Sequence, residues 1–417
     1  MEEVRVDLES AGIDPAELSS GRPLLQRALR ELEASPRGGF LRVVDRPELL
    51  REIQRFCRGR RRELRDVVQL GIGGSSLGAQ ALCRALLPPQ HNLEVRAPGL
   101  RFHLPDNVDP EPFSALLERL NPRRTLVHVV SKSGGTLETQ AQLHALLEHF
   151  ERRGSPLPSR NLVVTTGARG PLRSFAEREG IPVLEFPEDV PGRYSVFTAS
   201  GLLVPALCGV PVGRVLAGAR RMAQRCTRDG DAGPAGALAA VHHIQDQERR
   251  RPIHVELIYC DALLPCGEWF RQIWAESLGK GGRGPTPVTA RGTTDQHSQI
   301  QLYMEGPDDK LYTVLRVERS RRGVRIGGAA PEAFARRDLS EVFAAEAEGT
   351  ERALIERGRP VIRLRLARLD PGSVGAVLML QQLQTALAGA LYGVDPFTQP
   401  GVEAGKRAAL EILRVSS

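Results

Sequence analysis

Strand-like and helix-like segments alternate along most of this chain, and that alternation restricts it to an α/β fold built on mainly parallel strands. Residues 66–70 read as a strand, followed by a Gly/Ser turn and a helix over about 76–87. Residues 125–130 repeat the pattern, with a Gly/Ser turn and a helix over about 136–150. Two more strands, 162–166 and 183–186, enclose a helix at 171–179, and 195–228 reads as two helical pieces. A second set holds strands at 253–260, 311–317 and 360–369. Its helices fall near 267–278, 296–305, 339–357 and 372–392, and a last helix starts near Gly401. Residues 229–236, rich in Gly, Asp and Ala, form the strongest compositional break between the two sets.

The 417 residues suffice for two domains of roughly 150–200 residues each. The longest apolar run, 202–212, is interrupted by Pro205 and Pro211 and falls short of the roughly 18 residues that span a bilayer. The start, Met1-Glu2-Glu3-Val4-Arg5, is acidic and lacks a secretory apolar stretch. Six scattered cysteines without a CxxC pair suit a reducing compartment. These features lead us to expect a cytoplasmic protein with no membrane partner. The net charge of +7 suits an anionic partner. With 5% aromatic residues and no basic tail, a small phosphorylated metabolite fits better than nucleic acid. The triplets Arg60-Arg61-Arg62 and Arg249-Arg250-Arg251 read as solvated helix ends. Only four of the 57 basic residues are lysine. Lys132, Lys280 and Lys406 lie in glycine-containing segments, where a compact, rotatable ammonium is a reason to retain lysine. Lys310, in Pro307-Asp308-Asp309-Lys310, reads as an ordinary exposed turn residue.

Four segments carry candidate chemistry. Ser131-Lys132-Ser133-Gly134-Gly135-Thr136 joins a strand to a helix, where unpaired backbone N–H groups favour anions. Its hydroxyls, with Thr139 one turn along, exceed what a helix cap needs and point to phosphate. Gly71-Ile72-Gly73-Gly74-Ser75-Ser76-Leu77-Gly78 approaches a dinucleotide fingerprint, with Glu94 about 20 residues on, but Ser76 replaces the third glycine. A tight turn presenting backbone and Ser75 to a sugar or phosphate fits it better. Glu276 ends an amphipathic helix carrying Trp269, Ile273 and Trp274, and partial desolvation by the tryptophans would suit a general base. His297 opens a polar helix. We find no P-loop and no nucleophile elbow, and adjacent His242 and His243 cannot face one metal ion from one helix face.

Taken together in order, Gly71–Gly78, Ser131–Thr139, Gly192-Arg193-Tyr194-Ser195, Glu276–Lys280, 295–301 and 399–406 resemble the glucose-6-phosphate isomerase family of the sugar isomerase superfamily. The resemblance implies two α/β/α sandwich domains with mainly parallel sheets and a C-terminal helical arm. It divides the chain into an N-terminal helical segment (1–40), a first domain with the phosphate loop (41–210), a second with base and histidine (211–394), and a C-terminal helix bearing Lys406 (395–417). It implies reversible aldose–ketose interconversion of glucose 6-phosphate and fructose 6-phosphate through a cis-enediol, without metal or organic cofactor. Ser131, Ser133, Thr136 and Thr139 would hold the phosphate, with Lys132 nearby. Glu276 would be the base, and Arg193 would stabilise the enediolate. His297 and Lys406 would open and close the ring, and Gly74, Ser75, Gly192 and Gln399 would line the sugar. The histidine would come from a second subunit, so a homodimer is implied.

Overall fold

The computed structural model describes residues 3–96, 99–228 and 232–415. In chain order its strands are β1 (Val4–Asp7), β2 (Asp66–Leu70), β3 (Arg101–His103), β4 (Thr125–Ser131), β5 (Leu162–Thr166), β6 (Val183–Glu185), β7 (Ile253–Tyr259), β8 (Thr286–Arg291), β9 (Lys310–Arg319) and β10 (Val361–Arg368). Runs of Val and Leu make β2, β4 and β5 buried on both faces, the signature of strands covered by helices on each side. They form a wholly parallel sheet in the order β3-β2-β4-β5-β6. The second sheet runs β1-β10-β9-β7-β8, parallel except for β1.

Alternate strand residues feed different cores. Val68, Val127 and Val164 pack with Leu143, Leu146 and Phe150 of the helix Leu137–Arg152 on one face of the first sheet. Val67, Leu126 and Val163 join a larger core that also takes in Leu364 and Leu366 of β10 and the helices Leu264–Leu278 and Pro371–Tyr392. A single apolar layer therefore lies between the two sheets and fixes one against the other. The far face of the second sheet is covered by the helix Leu339–Glu356. The alternating arginines of β10 meet that helix, where Arg363 and Arg365 each contact Glu351 at 2.9 Å.

Each sheet has one point where the chain reverses its direction of travel. From β2 the chain goes outward to β3 and then returns to β4 on the other side of β2. From β7 it goes to β8 and returns to β9. At such a point the loops leaving the two central strands part and open a crevice, which is where open α/β sheets bind ligands.

Several expectations change. Residues 1–40 are not purely helical: β1 adds an antiparallel edge to the second sheet, Val4 opposite Leu366, before the helices Pro15–Ser20 and Arg22–Ala34. Within the break at 229–236, residues 229–231 lie outside the described residues, and the helix Gly233–Gln247 already begins inside it. The helix Pro371–Tyr392 is long and apolar enough to cross a membrane by length and composition, beyond the run at 202–212, yet 89% of its apolar window is buried inside the fold. Its polar residues find partners there, with Gln381 donating to Glu256 at 2.9 Å and Gln382 to the Tyr194 carbonyl at 2.9 Å. Lys310 is only 5% exposed, because β9 starts at that residue beside Ile253, and its ammonium pairs with Asp309. The arginine triplets dock onto the protein, with Arg60 lying 4.2 Å from the Phe56 ring centre and Arg251 2.6 Å from Asp308.

Burial also holds three imidazoles neutral. It depresses His128 to about 3 and His242 to about 4, and puts His254 well below its ordinary value, helped by His242 beside it. His254 bonds Thr313 at 2.9 Å, and His242 bonds the Leu238 carbonyl at 2.8 Å. Glu256 shifts the other way, pushed up to about 8 by burial. The unfolded chain protonates its histidines first as pH falls, so their contribution is complete above about 6.5 and is lost towards about 4. Glu256 ionises first in the unfolded chain, so its contribution falls as pH rises from about 4.5 to about 8. Three groups outweigh one on the acid side. We predict a thermal midpoint that peaks near pH ~6.5 and a Glu256→Gln variant that loses the decline on the alkaline side while keeping the acid one. A midpoint that does not fall between pH ~6.5 and ~5 would contradict the reading.

Candidate active site

Both glycine- and hydroxyl-rich turns lie at the reversal of the first sheet, one after β2 and the other after β4. Beneath them runs a buried polar line. Gln69 of β2 donates from Nε2 to the carbonyls of Ser75 at 2.7 Å and Ser200 at 3.0 Å. Its Oε1 lies 3.2 Å from His128 Nδ1, and His128 Nε2 lies 2.7 Å from the Thr165 hydroxyl. Polar groups inside an apolar sheet are costly unless paired, so this line fixes the turn after β2. The turn then presses against the segment Gly192–Phe197. A Cβ on Gly74 would sit 2.6 Å from the Gly192 carbonyl oxygen and 2.7 Å from Arg193 Cα, and Ser195 donates to the Gly74 carbonyl at 3.2 Å.

In the turn after β4, the Ser131 hydroxyl receives the Gly134 N–H at 3.0 Å and lies 2.8 Å from the Thr136 hydroxyl. Ser133 receives the Gly135 N–H at 3.3 Å. Gly134 takes a positive φ of 72°, which a side chain would resist. Thr136 is the N-cap of the helix Leu137–Arg152, but its side chain caps no backbone N–H. The helix start therefore keeps open donors beside four hydroxyls, an arrangement suited to an oxyanion. The Thr139 hydroxyl is buried and has no partner among the described residues. Lys132 turns away from the hydroxyls. Its ammonium donates to the carbonyls of Glu188 at 3.1 Å and Val190 at 2.7 Å, and burial lowers its pKa. It thus ties this turn to the segment that leads into Arg193.

Arg193 is 4% exposed and reaches two other parts of the chain. Nε donates to Ser277 at 3.0 Å, and Nη2 donates to the carbonyls of Thr398 at 2.8 Å and Pro396 at 3.3 Å. Nη1 meets Gln399 Oε1 and lies 3.1 Å from Glu276 Oε1. The other oxygen of Glu276 accepts from Gln272, one turn earlier on the same helix, at 3.0 Å. Both carboxylate oxygens are held, so the group is fixed in direction while its side chain stays 21% exposed. Gly74, Gly192, Arg193, Glu276 and Gln399 therefore converge, and the Ser131–Thr139 turn is linked to them through Lys132. Ser75, also in the β2 turn, has no partner for its hydroxyl among the described residues.

Other expected features lie elsewhere. Trp269 and Trp274 are buried in the core, and the side-chain partners of Glu276 are the polar groups of Arg193 and Gln272. Lys280 donates to the carbonyls of Ser277 and, at 2.7 Å, Asp395, which pins the helix end to the Gln399 segment. His297 is exposed on the short helix Thr294–Ser298, and Lys406 pairs with Glu403 at 3.0 Å on the exposed helix Glu403–Val415. Neither contacts the Arg193 group. Glu94 is exposed on the short helix His91–Glu94, which is hydrogen-bonded to β3 through Asn92. Among the described residues no three His, Cys, Asp or Glu side chains gather as a metal site. Sequence reading missed Gln69, His128, Gln272 and Ser277. The first two are polar residues inside buried strands, and Gln272 stands at i−4 from Glu276, which are signals the sequence does contain.

The sequence profile of the phosphoglucose isomerase family matches residues 54–306, more than half of the chain. The glucose-6-phosphate isomerase of Rubrobacter xylanophilus is 41% identical over 406 residues, covering 95% of this chain and 93% of that protein. That of Thermus thermophilus is 39% identical over 419 residues, covering 97% and 98%. A glucose-6-phosphate isomerase structure from Chlamydia trachomatis superposes with a TM-score of 0.87 at 20% identity, covering all of this chain and 89% of that one, which shows a common fold.

The close approach at Gly74 gives a prediction independent of any activity. Gly74→Ala forces the β2 turn off the Arg193 segment, and we expect a loss of about 1–3 kcal/mol in denaturant unfolding. An unchanged midpoint would show that the turn and the segment do not press together.

Proposed function

This chain belongs to the phosphoglucose isomerase family, and we propose that the residues gathered around Arg193 carry its reaction. The chain is an aldose–ketose isomerase that interconverts glucose 6-phosphate and fructose 6-phosphate. The observation that carries our assignment is the fixed Glu276 carboxylate 3.1 Å from the buried guanidinium of Arg193.

In this reading the hydroxyls of Ser131, Ser133, Thr136 and Thr139, with the open N–H groups of the helix they precede, receive the phosphate. Phosphate sits far from the reacting carbons, so its binding energy serves to position them. Lys132 holds that turn in place. With the sugar ring open, Glu276 takes the proton from C2. The C1–C2 bond becomes the double bond of a cis-enediol, and the carbonyl electrons move to the C1 oxygen. Negative charge passes from the carboxylate to a substrate oxygen, and one guanidinium within reach of both keeps it neutralised throughout. A proton passes from the C2 hydroxyl to the C1 oxygen, and as the C2 oxygen forms its carbonyl Glu276 returns its proton to C1, which leaves the ketose. Gly74, Ser75, Gly192 and Gln399 line the sugar.

Ring opening requires an acid and a base on the ring and anomeric oxygens, roles we assign to His297 and Lys406. Both lie on exposed elements, and Leu410, Ile412 and Leu413 of the Lys406 helix are turned to solvent. A homodimer in which a second copy completes each site accounts for both facts. The cytoplasm is the compartment in which we expect this phosphorylated hexose to be met.

Glu276→Gln should lower kcat by roughly 10²–10⁴-fold with KM little changed, read as glucose 6-phosphate formed from fructose 6-phosphate with a chelator present. An active variant would remove the base assignment. The shared site has its own test. Glu276→Gln and His297→Gln chains, each inactive alone, should recover roughly a quarter of wild-type activity when refolded together, because half the dimers are hybrids with one intact site of two. No recovery would place His297 in the site of its own chain or in none.

A further inference from the structure

The second sheet reverses its strand order as the first does, and the crevice beyond the ends of β7 and β9 contains none of the residues grouped around Arg193. A cavity of about 340 Å³ occupies it. That volume is within the range of small-molecule sites. Its apolar walls come from both domains. Leu87 and Pro88 follow the helix Leu77–Leu86 of the first, and Tyr259 and Phe343 belong to the second. Its rim carries Arg319, Arg321 and Arg322, at and just beyond the end of β9, and no carboxylate lines it.

The walls are already set. Arg321 donates to the Leu369 carbonyl at 2.9 Å and to the Ala85 carbonyl, bridging the two domains beside the cavity. The Tyr259 ring lies 5.7 Å from that of Phe343, and its hydroxyl donates to Gln296 at 2.9 Å. Arg319 and Arg322 have no ionic or hydrogen-bonded side-chain partner among the described residues, whereas many other arginines of the chain are paired with Asp or Glu. An apolar slot with uncommitted guanidinium groups at its mouth recognises a body that packs against rings and a head that accepts N–H bonds. Sugar phosphates lack such a body.

We infer that this crevice is a second binding site, for a small amphipathic anion with a flat or short aliphatic apolar body and one anionic head. The site is distinct from the one around Arg193. It is tested by equilibrium fluorescence titration with 2-naphthyl phosphate, a measurement that needs no turnover. We expect saturable one-to-one binding that persists with fructose 6-phosphate in excess. Inorganic phosphate should not compete at equal concentration. The double substitution Arg319→Ser and Arg322→Ser should raise Kd about tenfold, and Ala262→Trp, which fills the cavity from its wall, should abolish binding. Both arginines lie on the exposed rim, so their variant remains decisive even if Ala262→Trp fails to fold. An unchanged Kd in the arginine variant, displacement by fructose 6-phosphate, or equal competition by inorganic phosphate would each overturn the inference.

Discussion

A buried guanidinium is the interaction on which the rest of this site depends. Arg193 is removed from water, and a charge so placed is tolerated only when its donors are met. They are met by Ser277 and Glu276 from the second domain, and by Gln399 and the carbonyls of Pro396 and Thr398 from the segment before the last helix. Arg193 itself belongs to a segment of the first domain pressed against the β2 turn. One side chain therefore fixes three stretches that are far apart in sequence, and the apolar layer between the sheets supplies the dry surroundings that make the bonds strong. A lysine could not replace it, since the bonds leave in fixed and different directions from a planar group.

In the proposed assignment the two sheets contribute unequally to the chemistry. The first presents turns at its strand ends, where backbone N–H groups and small hydroxyl side chains meet an oxyanion without bulky neighbours. The second presents the end of a long helix, Leu264–Leu278, whose inner face is locked by Trp269, Phe270 and Trp274 in the core. That division suits a reaction whose substrate is held at one end and rearranged at the other. The phosphate end needs backbone geometry, which a turn provides. The reacting end needs one carboxylate held in one direction, which a rigid helix with Gln272 one turn behind Glu276 would provide if Glu276 is the base we propose.

What could be read in the sequence was local. The buried strands showed themselves as Val-rich runs, and the turns after β2 and β4 as Gly and Ser clusters between a strand and a helix. The family could be recognised because six such local segments follow in order. Features set by distant contacts were hidden. β1 has four residues and becomes a strand only through β10, more than 350 positions away. Lys310 follows Pro-Asp-Asp and reads as a turn, yet its neighbour across the sheet is Ile253. The tryptophans near Glu276 in sequence are buried in the core while its carboxylate meets Arg193 and Gln272, so proximity in the chain misled. Gln69 and His128 are polar residues inside Val-rich runs, and only the pairing of their strands shows that they lie 3.2 Å apart.

The positions of His297 and Lys406 follow from the same physics that gathers the other residues. Geometry comes before pKa in acid–base catalysis, and a group in open solvent cannot exchange a proton with a sugar held elsewhere. Arg193 and Glu276 are in place within one chain because the shared apolar layer draws their elements together. Among the described residues the helix Glu403–Val415 adds no side chain to that layer, and Leu410, Ile412 and Leu413 are exposed on it. An amphipathic helix is stabilised mainly by packing its apolar face. If that face closes on a second copy, the apolar surface that drives association also carries the lysine out of solvent. Assembly and completion of the site would then be one event, and the base and the arginine would wait preformed for groups that only the dimer supplies.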